Sequence, residues 1–380
     1  GAWNQVFRVH PEWQGRVIAD LNFELPAHAH NTQDAIRSTY ESADFLKHFC
    51  ENITVPKEAY PDGLTVLAPI ETWSDDFSIA ISGIPSTVND FSAGPFMETH
   101  YHSQYDNEEF YQEAVYRFHH ELYTRLLVTL DQPLDFSRHF LAMKSSVADC
   151  LAAQSNAPAE VLEEIPALLE SISKVCESAD LLYEKIQEIN NHTVSADFPM
   201  VSGLSSKLLH IFRKMQDYFV RLDWQDAVCF PHAAASQNLC HLEQAVHALE
   251  SQNITAALEA LYEVDNNCYA FLFDEEVYYH FTEYILHQPK DRLMWGAGRI
   301  LHHENLYGLV QCLKELDQMA IPGSLDVEIR RLEAAIRRQQ AYLKDDLHYM
   351  KQSVDKIQAL INDCLETSSH YNKEKNGENQ

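Results

Sequence analysis

The segment Thr99-His100-Tyr101-His102-Ser103-Gln104-Tyr105-Asp106-Asn107 follows a strand-like run, Gly83-Ile84-Pro85-Ser86-Thr87-Val88, and leads into a helical pattern at 107–130. A strand, a turn and a helix in this order are typical of the edge of an α/β sheet. The pair Tyr101 and His102 is therefore expected at that edge. A histidine ring nitrogen can bind a metal, and a neighbouring phenol can donate a hydrogen bond to an oxyanion.

The pattern of the chain changes near residue 140. Before it, strand-like runs at 16–25, 64–69 and 83–89 alternate with helical patterns at 33–51 and 107–130, as in an α/β sheet. After it, the pattern is almost wholly helical. The predicted helices span 137–154, 158–190, 203–222, 234–250, 254–263, 266–286, 304–319 and 324–365.

These patterns predict two domains and a tail. An α/β domain, a partial sheet with helices, is expected over residues 1–136. A mostly α-helical domain is expected over 137–367. The residues 368–380 are polar and resemble a disordered tail.

Three further segments add to the Tyr-His segment in chain order. Arg16-Val17-Ile18-Ala19-Asp20-Leu21-Asn22-Phe23-Glu24 looks like a core strand that ends in Asn-x-acid. Ser74-Asp75-Asp76-Phe77-Ser78-Ile79-Ala80-Ile81-Ser82-Gly83-Ile84-Pro85 looks like a turn and short helix before a Gly-Ile-Pro strand, and Asp131-Gln132-Pro133-Leu134-Asp135-Phe136 like an interdomain link. Together they resemble the co-catalytic zinc exopeptidases, a family that includes aminopeptidases, glutamate carboxypeptidase II and the transferrin receptor.

The resemblance implies a role for four residues. Glu24, which stands where the family usually has Asp, and His102 would each bind a zinc ion. Tyr101 would stabilise the oxyanion, and Asp75 lies where relatives contact the substrate. Each has a simpler explanation: a solvated acid for Glu24, a packed or capping residue for His102, a sheet-covering aromatic for Tyr101 and a helix first-turn acid for Asp75.

The family builds its site for two zinc ions from more ligands than this chain offers. An early histidine, a bridging aspartate and a Glu-Glu pair have no counterpart here. We therefore expect the sequence to begin inside the catalytic domain and the isolated chain to be inactive. His28 and His30 follow Glu24 closely, but a polar loop is the favoured interpretation of this His-Ala-His run.

Composition limits the possible partners. The formal net charge of −29 argues against binding to nucleic acid, which requires a basic surface. No run of about 18 uncharged apolar residues predicts a membrane span. The eight cysteines are scattered without a Cys-x-x-Cys pair, which favours free thiols in a reducing compartment and hence a cytoplasmic location.

The last predicted helix carries an apolar seam with a spacing close to 3.5 residues. The seam consists of Ile329, Leu332, Ile336, Leu343, Leu347, Met350, Val354, Ile357, Ile361 and Cys364. Such a seam must pack against another helix. The partner is either a helix of the same chain, which is favoured, or a second copy in a homodimer.

The sequence as a whole indicates the C-terminal portion of a zinc-dependent exopeptidase of the aminopeptidase type, followed by a helical domain. Its substrate would be a peptide, and two zinc ions in the intact parent would activate water and polarise the scissile carbonyl. The alternative is a non-catalytic module that keeps the peptidase-like fold and serves interaction or dimerisation.

Overall fold

The structure is a computed structural model, and it describes residues 1–28, 31–90, 95–130, 139–153, 158–191, 198–287, 302–319 and 323–377. The chain forms two compact units. The first unit comprises Gly1–Ala142, Val175–Gln216 and Ile357–Gln380, and the second comprises Met143–Lys174 and Asp217–Lys356. This division differs from the expected boundary at residue 137, because helical segments after that boundary belong to the first unit. The proposed link at 131–136 and His30 lie outside the described residues.

Helices make up most of the described chain. The α-helices are α1 (Ala2–Asn4), α2 (Ala43–Glu51), α3 (Asp75–Ala80), α4 (Pro95–Thr99), α5 (Glu113–Thr129), α6 (His139–Ala153), α7 (Ala159–Asn190), α8 (Phe198–Phe219), α9 (Ala233–Glu250), α10 (Ile254–Tyr262), α11 (Tyr269–Leu272), α12 (Glu275–Leu286), α13 (Tyr307–Met319) and α14 (Asp326–Gly377). Within the described ranges, none of them has both the length and the apolar character that crossing a membrane requires.

A four-stranded mixed sheet lies in the first unit. Its strands are β1 (Asp20–Asn22), β2 (Asp34–Ser38), β3 (Leu64–Leu67) and β4 (Ser86–Asn89), in the order β1-β4-β2-β3. β1 runs parallel to β4 and β2 parallel to β3, whereas β2 and β4 are antiparallel. The fold is therefore an α/β sheet combined with an extensive helical part, as the sequence predicted in outline.

The prediction of a helix over 33–51 is wrong in its first third, which forms the interior strand β2. Ile36 is fully buried there. Arg37 gives the segment an amphipathic pattern, but its guanidinium is neutralised inside the protein, 3.3 Å from an Asp90 carboxylate oxygen and 3.2 Å from Glu71. In the sequence, a buried polar residue with partners inside the protein cannot be told from a solvent-exposed position of a helix. The apparent helical periodicity of residues 33–51 was therefore misleading over β2.

The core of the first unit forms where α5 packs beside the sheet. Val115, Phe118, Leu122 and Leu126 of α5 recur at spacings of three and four, and all are buried in one cluster with Ile36. This spacing places them on one face of the helix. Burying a large apolar side chain contributes roughly 1.5–3 kcal/mol, so this face fixes the sheet and its edges in place.

The second unit holds two features that the sequence did not predict. A two-stranded hairpin, β5 (Arg221–Leu222) with β6 (Val228–Cys229), follows the end of α8. The expected helix at 266–286 is broken, because Asp274 caps a new helix and its side chain accepts a hydrogen bond of 3.0 Å from the Val277 N–H. Capping by Asp satisfies a backbone donor that an unbroken helix would bond internally.

The apolar seam of α14 is buried within the chain. Leu343, Leu347, Met350 and Val354 are fully buried, and Ile329 is partly buried against the core of the second unit. This supports the favoured intramolecular packing of the seam and leaves a homodimer as a prediction. The helix continues through Gly377, so much of the expected disordered tail is helical.

Replacing both Leu347 and Val354 with Asp should therefore reduce the free energy of unfolding by at least about 4 kcal/mol, because two charges would replace fully buried aliphatic groups. Urea unfolding measures this change. The matched control replaces two exposed residues of the same helix, Ala341 and Ala359, with Asp and should cost under about 1 kcal/mol. A folded double variant that only dissociates in light scattering would contradict the intramolecular seam.

Candidate functional site

Polar residues alternate along β1 and just beyond it. Asp20 and Asn22 lie within the strand, opposite Ser86 and Val88 of β4, and Glu24 follows two residues later. Successive side chains of a strand point to opposite faces, so residues two apart share a face. Asp20, Asn22 and Glu24 therefore form a polar row directed to one side of the sheet edge.

The backbone of Glu24 is held by the side chain of Asn89. The Glu24 N–H donates to the Asn89 Oδ1 at 2.8 Å, and the Asn89 Nδ2 donates to the Glu24 carbonyl oxygen. Asn89 is the last residue of β4 and is buried, so its amide has little freedom to move. This pair of bonds fixes Glu24 at the position where β1 ends.

Asn22 connects Glu24 to the first turn of α3. Its Nδ2 lies 3.3 Å from the Glu24 Oε1 and 3.4 Å from the Asp76 Oδ1. The Ser74 hydroxyl, at the N-cap position of α3, also donates to the Asp76 Oδ1. Asp76 is fully buried, whereas Asp75 is exposed. Asp75 is thus a first-turn acid of α3, and its role in substrate binding stays a prediction.

Asp20, which is half-buried, and the fully buried Asp76 influence each other electrostatically on this face. Burial, with the charge of Asp76 adding to it, raises the pKa of Asp20 to about 7. Burial also raises the pKa of Asp76, while the hydrogen bonds from Ser74 and Asn22 oppose that rise. One oxygen of each carboxyl group, Oδ2, is buried without a hydrogen-bond partner in the described structure. Two nearby carboxylates disfavour ionisation of each other, so Asp20 is readily protonated.

Tyr101 and His102 lie in the turn after α4. The Tyr101 N–H donates to the Phe96 carbonyl oxygen at 3.0 Å, which closes the end of α4. The rings of Tyr101 and His102 stack with centroids 3.9 Å apart. His102 is exposed and has a φ of 53°. This left-handed conformation is uncommon for a residue with a side chain, and it directs the backbone sharply out of the turn.

The Tyr101 phenol lies within electrostatic reach of Glu24. Partial burial, followed by the carboxylates of Glu24 and Asp106, raises the pKa of Tyr101. As an ordinary phenol does, Tyr101 keeps its proton at neutral pH and can act as a hydrogen-bond donor. The structure thus places Glu24 within electrostatic range of the Tyr101 phenol, and the His102 ring stacks on that of Tyr101.

The candidate ligands do not by themselves complete a zinc site. In the ranges that the structure describes, no three His, Cys, Asp or Glu side chains come together as a ligand set. Glu24 and His102 offer two ligands, whereas catalytic zinc uses three from the protein. His119 is a buried structural histidine, since its ring nitrogens lie 2.8 Å from the Pro26 carbonyl oxygen and 3.2 Å from Asp34.

Sequence reasoning missed two residues of this site. Asp20 was included in a strand-like run without a role, and Asn89 was the last residue of the strand-like run at 83–89, also without a role. For Asp20, the available signal in the sequence was the alternation of Asp20, Asn22 and Glu24 with apolar neighbours. No local signal identifies Asn89, because its partner Glu24 lies 65 positions away.

Comparison with known proteins adds no family to this description. No protein-family model matches the chain, and a search of curated proteins returns no match.

The raised pKa of Asp20 predicts a pH dependence of stability. The folded protein holds a proton on Asp20 that the unfolded chain releases near pH 4, so this stabilising contribution is lost as the pH rises towards 7. Asp20→Asn should lessen the loss of unfolding free energy between pH 5 and pH 8 by on the order of 2 kcal/mol. Urea unfolding at both pH values measures it.

The control for this experiment is Asp62→Asn, which removes an exposed carboxylate of the same unit. It should keep the wild-type dependence on pH. Equal slopes for wild type and Asp20→Asn would show that Asp20 ionises normally in the folded protein.

Proposed function

We propose that this chain is the C-terminal portion of a zinc-dependent exopeptidase of the aminopeptidase type, and that it is inactive in isolation. The substrate is a peptide, and the compartment is the cytoplasm. The ligands that the family takes from earlier in its sequence have no counterpart in this chain. Glu24 and His102 are the two ligands that it contributes.

One observation carries this proposal: hydrogen bonds fix the backbone of Glu24 at the end of β1, and its carboxylate lies within electrostatic range of the Tyr101 phenol. Asn89 fixes the backbone of Glu24, and Asn22 lies within hydrogen-bond distance of its Oε1. A ligand that is already oriented by neighbouring amides loses little freedom on binding a metal. Such support is not needed for an ordinary solvated acid.

Tyr101 supports the same proposal through its charge state. Its phenol keeps its proton at neutral pH, as tyrosine ordinarily does, and burial together with the carboxylates of Glu24 and Asp106 raises its pKa further. It can therefore donate a hydrogen bond to an oxygen that becomes negative as a peptide carbonyl is attacked. His102 is exposed to solvent beside this ring, where a ligand could reach it.

The alternative function is a non-catalytic interaction module with a peptidase-like fold. The observation that favours it is the exposed apolar surface of the segment from α11 to α12 in the second unit. Leu272, Phe273, Val277, Phe281 and Tyr284 each expose more than two-fifths of their surface. Exposed apolar residues close together in sequence and structure often mark contact sites for other proteins.

The first test is zinc binding by the purified chain, measured by calorimetry. We expect weak binding, since two protein ligands cannot enclose the ion, and we expect Glu24→Gln and His102→Ala each to weaken it by at least about tenfold. Hydrolysis of aminoacyl and dipeptide substrates with added zinc should not exceed background.

Two substitutions serve as matched controls. Glu108→Gln removes an exposed acid near the same turn, and His120→Ala removes an exposed histidine of α5. Neither should change the affinity for zinc. Full affinity in Glu24→Gln and His102→Ala would contradict the peptidase proposal and leave the interaction module. Chelator-sensitive turnover by the wild-type chain would show that its site is complete.

A further inference from the structure

A small polar cavity lies in the second unit, beside the β5–β6 hairpin. Its walls include Arg221, Cys229, Asn238, His302 and Asp346, and its volume is about 40 Å³. A water molecule needs roughly 10–15 Å³ on this measure, so the cavity has room for about three water-sized groups. The cavity is partly open to solvent.

Arg221 lines this cavity and has one unsatisfied donor. Its Nη1 donates to the backbone oxygens of Asp217 and Val220 at 2.9 and 2.8 Å, and its Nη2 donates to the Tyr349 hydroxyl at 3.0 Å. Only 7% of Arg221 is exposed, and its buried Nε has no hydrogen-bond partner among the described residues. A buried cationic donor without an acceptor is costly, so this N–H is suited to an external acceptor.

Asp346 presents the complementary acceptor. Its Oδ1 lies 3.2 Å from the His302 Nε2, but its Oδ2 is buried without a partner in the part of the chain that the structure describes. Only 6% of Asp346 is exposed. A buried carboxylate oxygen of this kind is suited to a cationic donor.

Arg221 and Asp346 influence each other electrostatically but do not form an ion pair. The positive charge of Arg221 partly opposes the rise that burial causes in the pKa of Asp346. Among the described residues, however, no nitrogen of Arg221 lies within 4.0 Å of the Asp346 carboxylate. Opposite charges that line one cavity without touching leave space for a molecule that bonds to both.

We propose that this cavity binds the ammonium and carboxylate groups of a free α-amino acid, of which glycine is the simplest. The ammonium donates to the Asp346 Oδ2, and the carboxylate accepts from the Arg221 Nε. The ammonium, the α-carbon and the carboxylate are about three water-sized groups, which fits the volume of the cavity.

A zwitterion satisfies both unpartnered atoms, whereas simpler ligands satisfy one. An amine leaves the Arg221 Nε without an acceptor, and a carboxylic acid leaves the Asp346 Oδ2 without a donor. The other acid of the cavity wall that is deeply buried, Asp265, is already engaged. It accepts from the Asn238 Nδ2 at 2.8 Å and from the Glu304 N–H at 2.6 Å. The ammonium is thereby directed to Asp346.

Calorimetric titration of the 380-residue chain with glycine and L-alanine tests this site, with methylamine and acetate as comparison ligands. We expect saturable binding of both amino acids at one site per chain. Affinity for methylamine and for acetate should be at least about tenfold lower, because each lacks one charge-assisted hydrogen bond. The site does not depend on the peptidase assignment, and zinc is omitted from the titration.

Asp346→Asn and Arg221→Gln should each weaken amino-acid binding by at least about tenfold. The matched controls Asp345→Asn and Arg337→Gln remove charges of the same signs at exposed positions of α14 and should bind as wild type does. Thermal melts establish that each variant is folded. Ala234→Leu, at a partly exposed position of the wall, should block binding by filling the cavity while both charged residues remain.

Two kinds of result would overturn the proposal. If neither amino acid binds, the cavity holds ordered water only. If methylamine binds as tightly as glycine, or if Asp345→Asn is as damaging as Asp346→Asn, then the ligand or the location is wrong.

Discussion

The amide side chain of Asn89 pairs with the backbone of Glu24 much as another peptide group would. It accepts from the N–H and donates to the C=O of the same residue, so the contact between β4 and β1 continues for one residue beyond the end of the regular ladder. β4 also pairs with β2, and every residue of β4 is buried. The position of Glu24 therefore depends on an interior strand of the sheet. The role proposed for Glu24 depends on this contact.

Buried charged groups are compensated by partners to different extents in different parts of the chain. The charge of Arg37 in β2 is balanced by two carboxylates near its Nη2, so it can lie in an interior strand, although its buried Nε has no hydrogen-bond partner in the described structure. Glu41 is buried and accepts from the Gln216 amide at 2.6 and 2.7 Å, while its burial raises its pKa to about 7. Arg221 and Asp346 each keep an atom without a partner in the described structure. Burying a charge costs free energy unless the charge is paired. Buried charged groups that keep an unpartnered atom therefore indicate where a ligand could bind.

Sequence periodicity was sufficient for the long helices and for the strands β1, β3 and β4, but it was insufficient for β2. The seam of α14 was predicted residue by residue, because ten apolar positions with regular spacing leave little ambiguity. β2 was missed because Arg37 is satisfied by residues more than 30 positions away, which no local pattern contains. The same limit applies to the sites. Tyr101, His102 and Glu24 were selected from a family resemblance, whereas Asn89, Arg221 and Asp346 acquire meaning only from contacts across the fold.

The exposed apolar surface of α11 and α12 has a consequence for the behaviour of the protein in solution. At neutral pH a net charge of −29 makes copies of the chain repel one another, and this repulsion offsets the tendency of Phe273, Phe281 and Tyr284 to associate. Acid removes that charge as carboxylates take up protons, but it leaves the aromatic surface unchanged. Colloidal stability should accordingly be lost in mild acid before the fold itself unfolds, and precipitation there would reflect lost repulsion between native molecules.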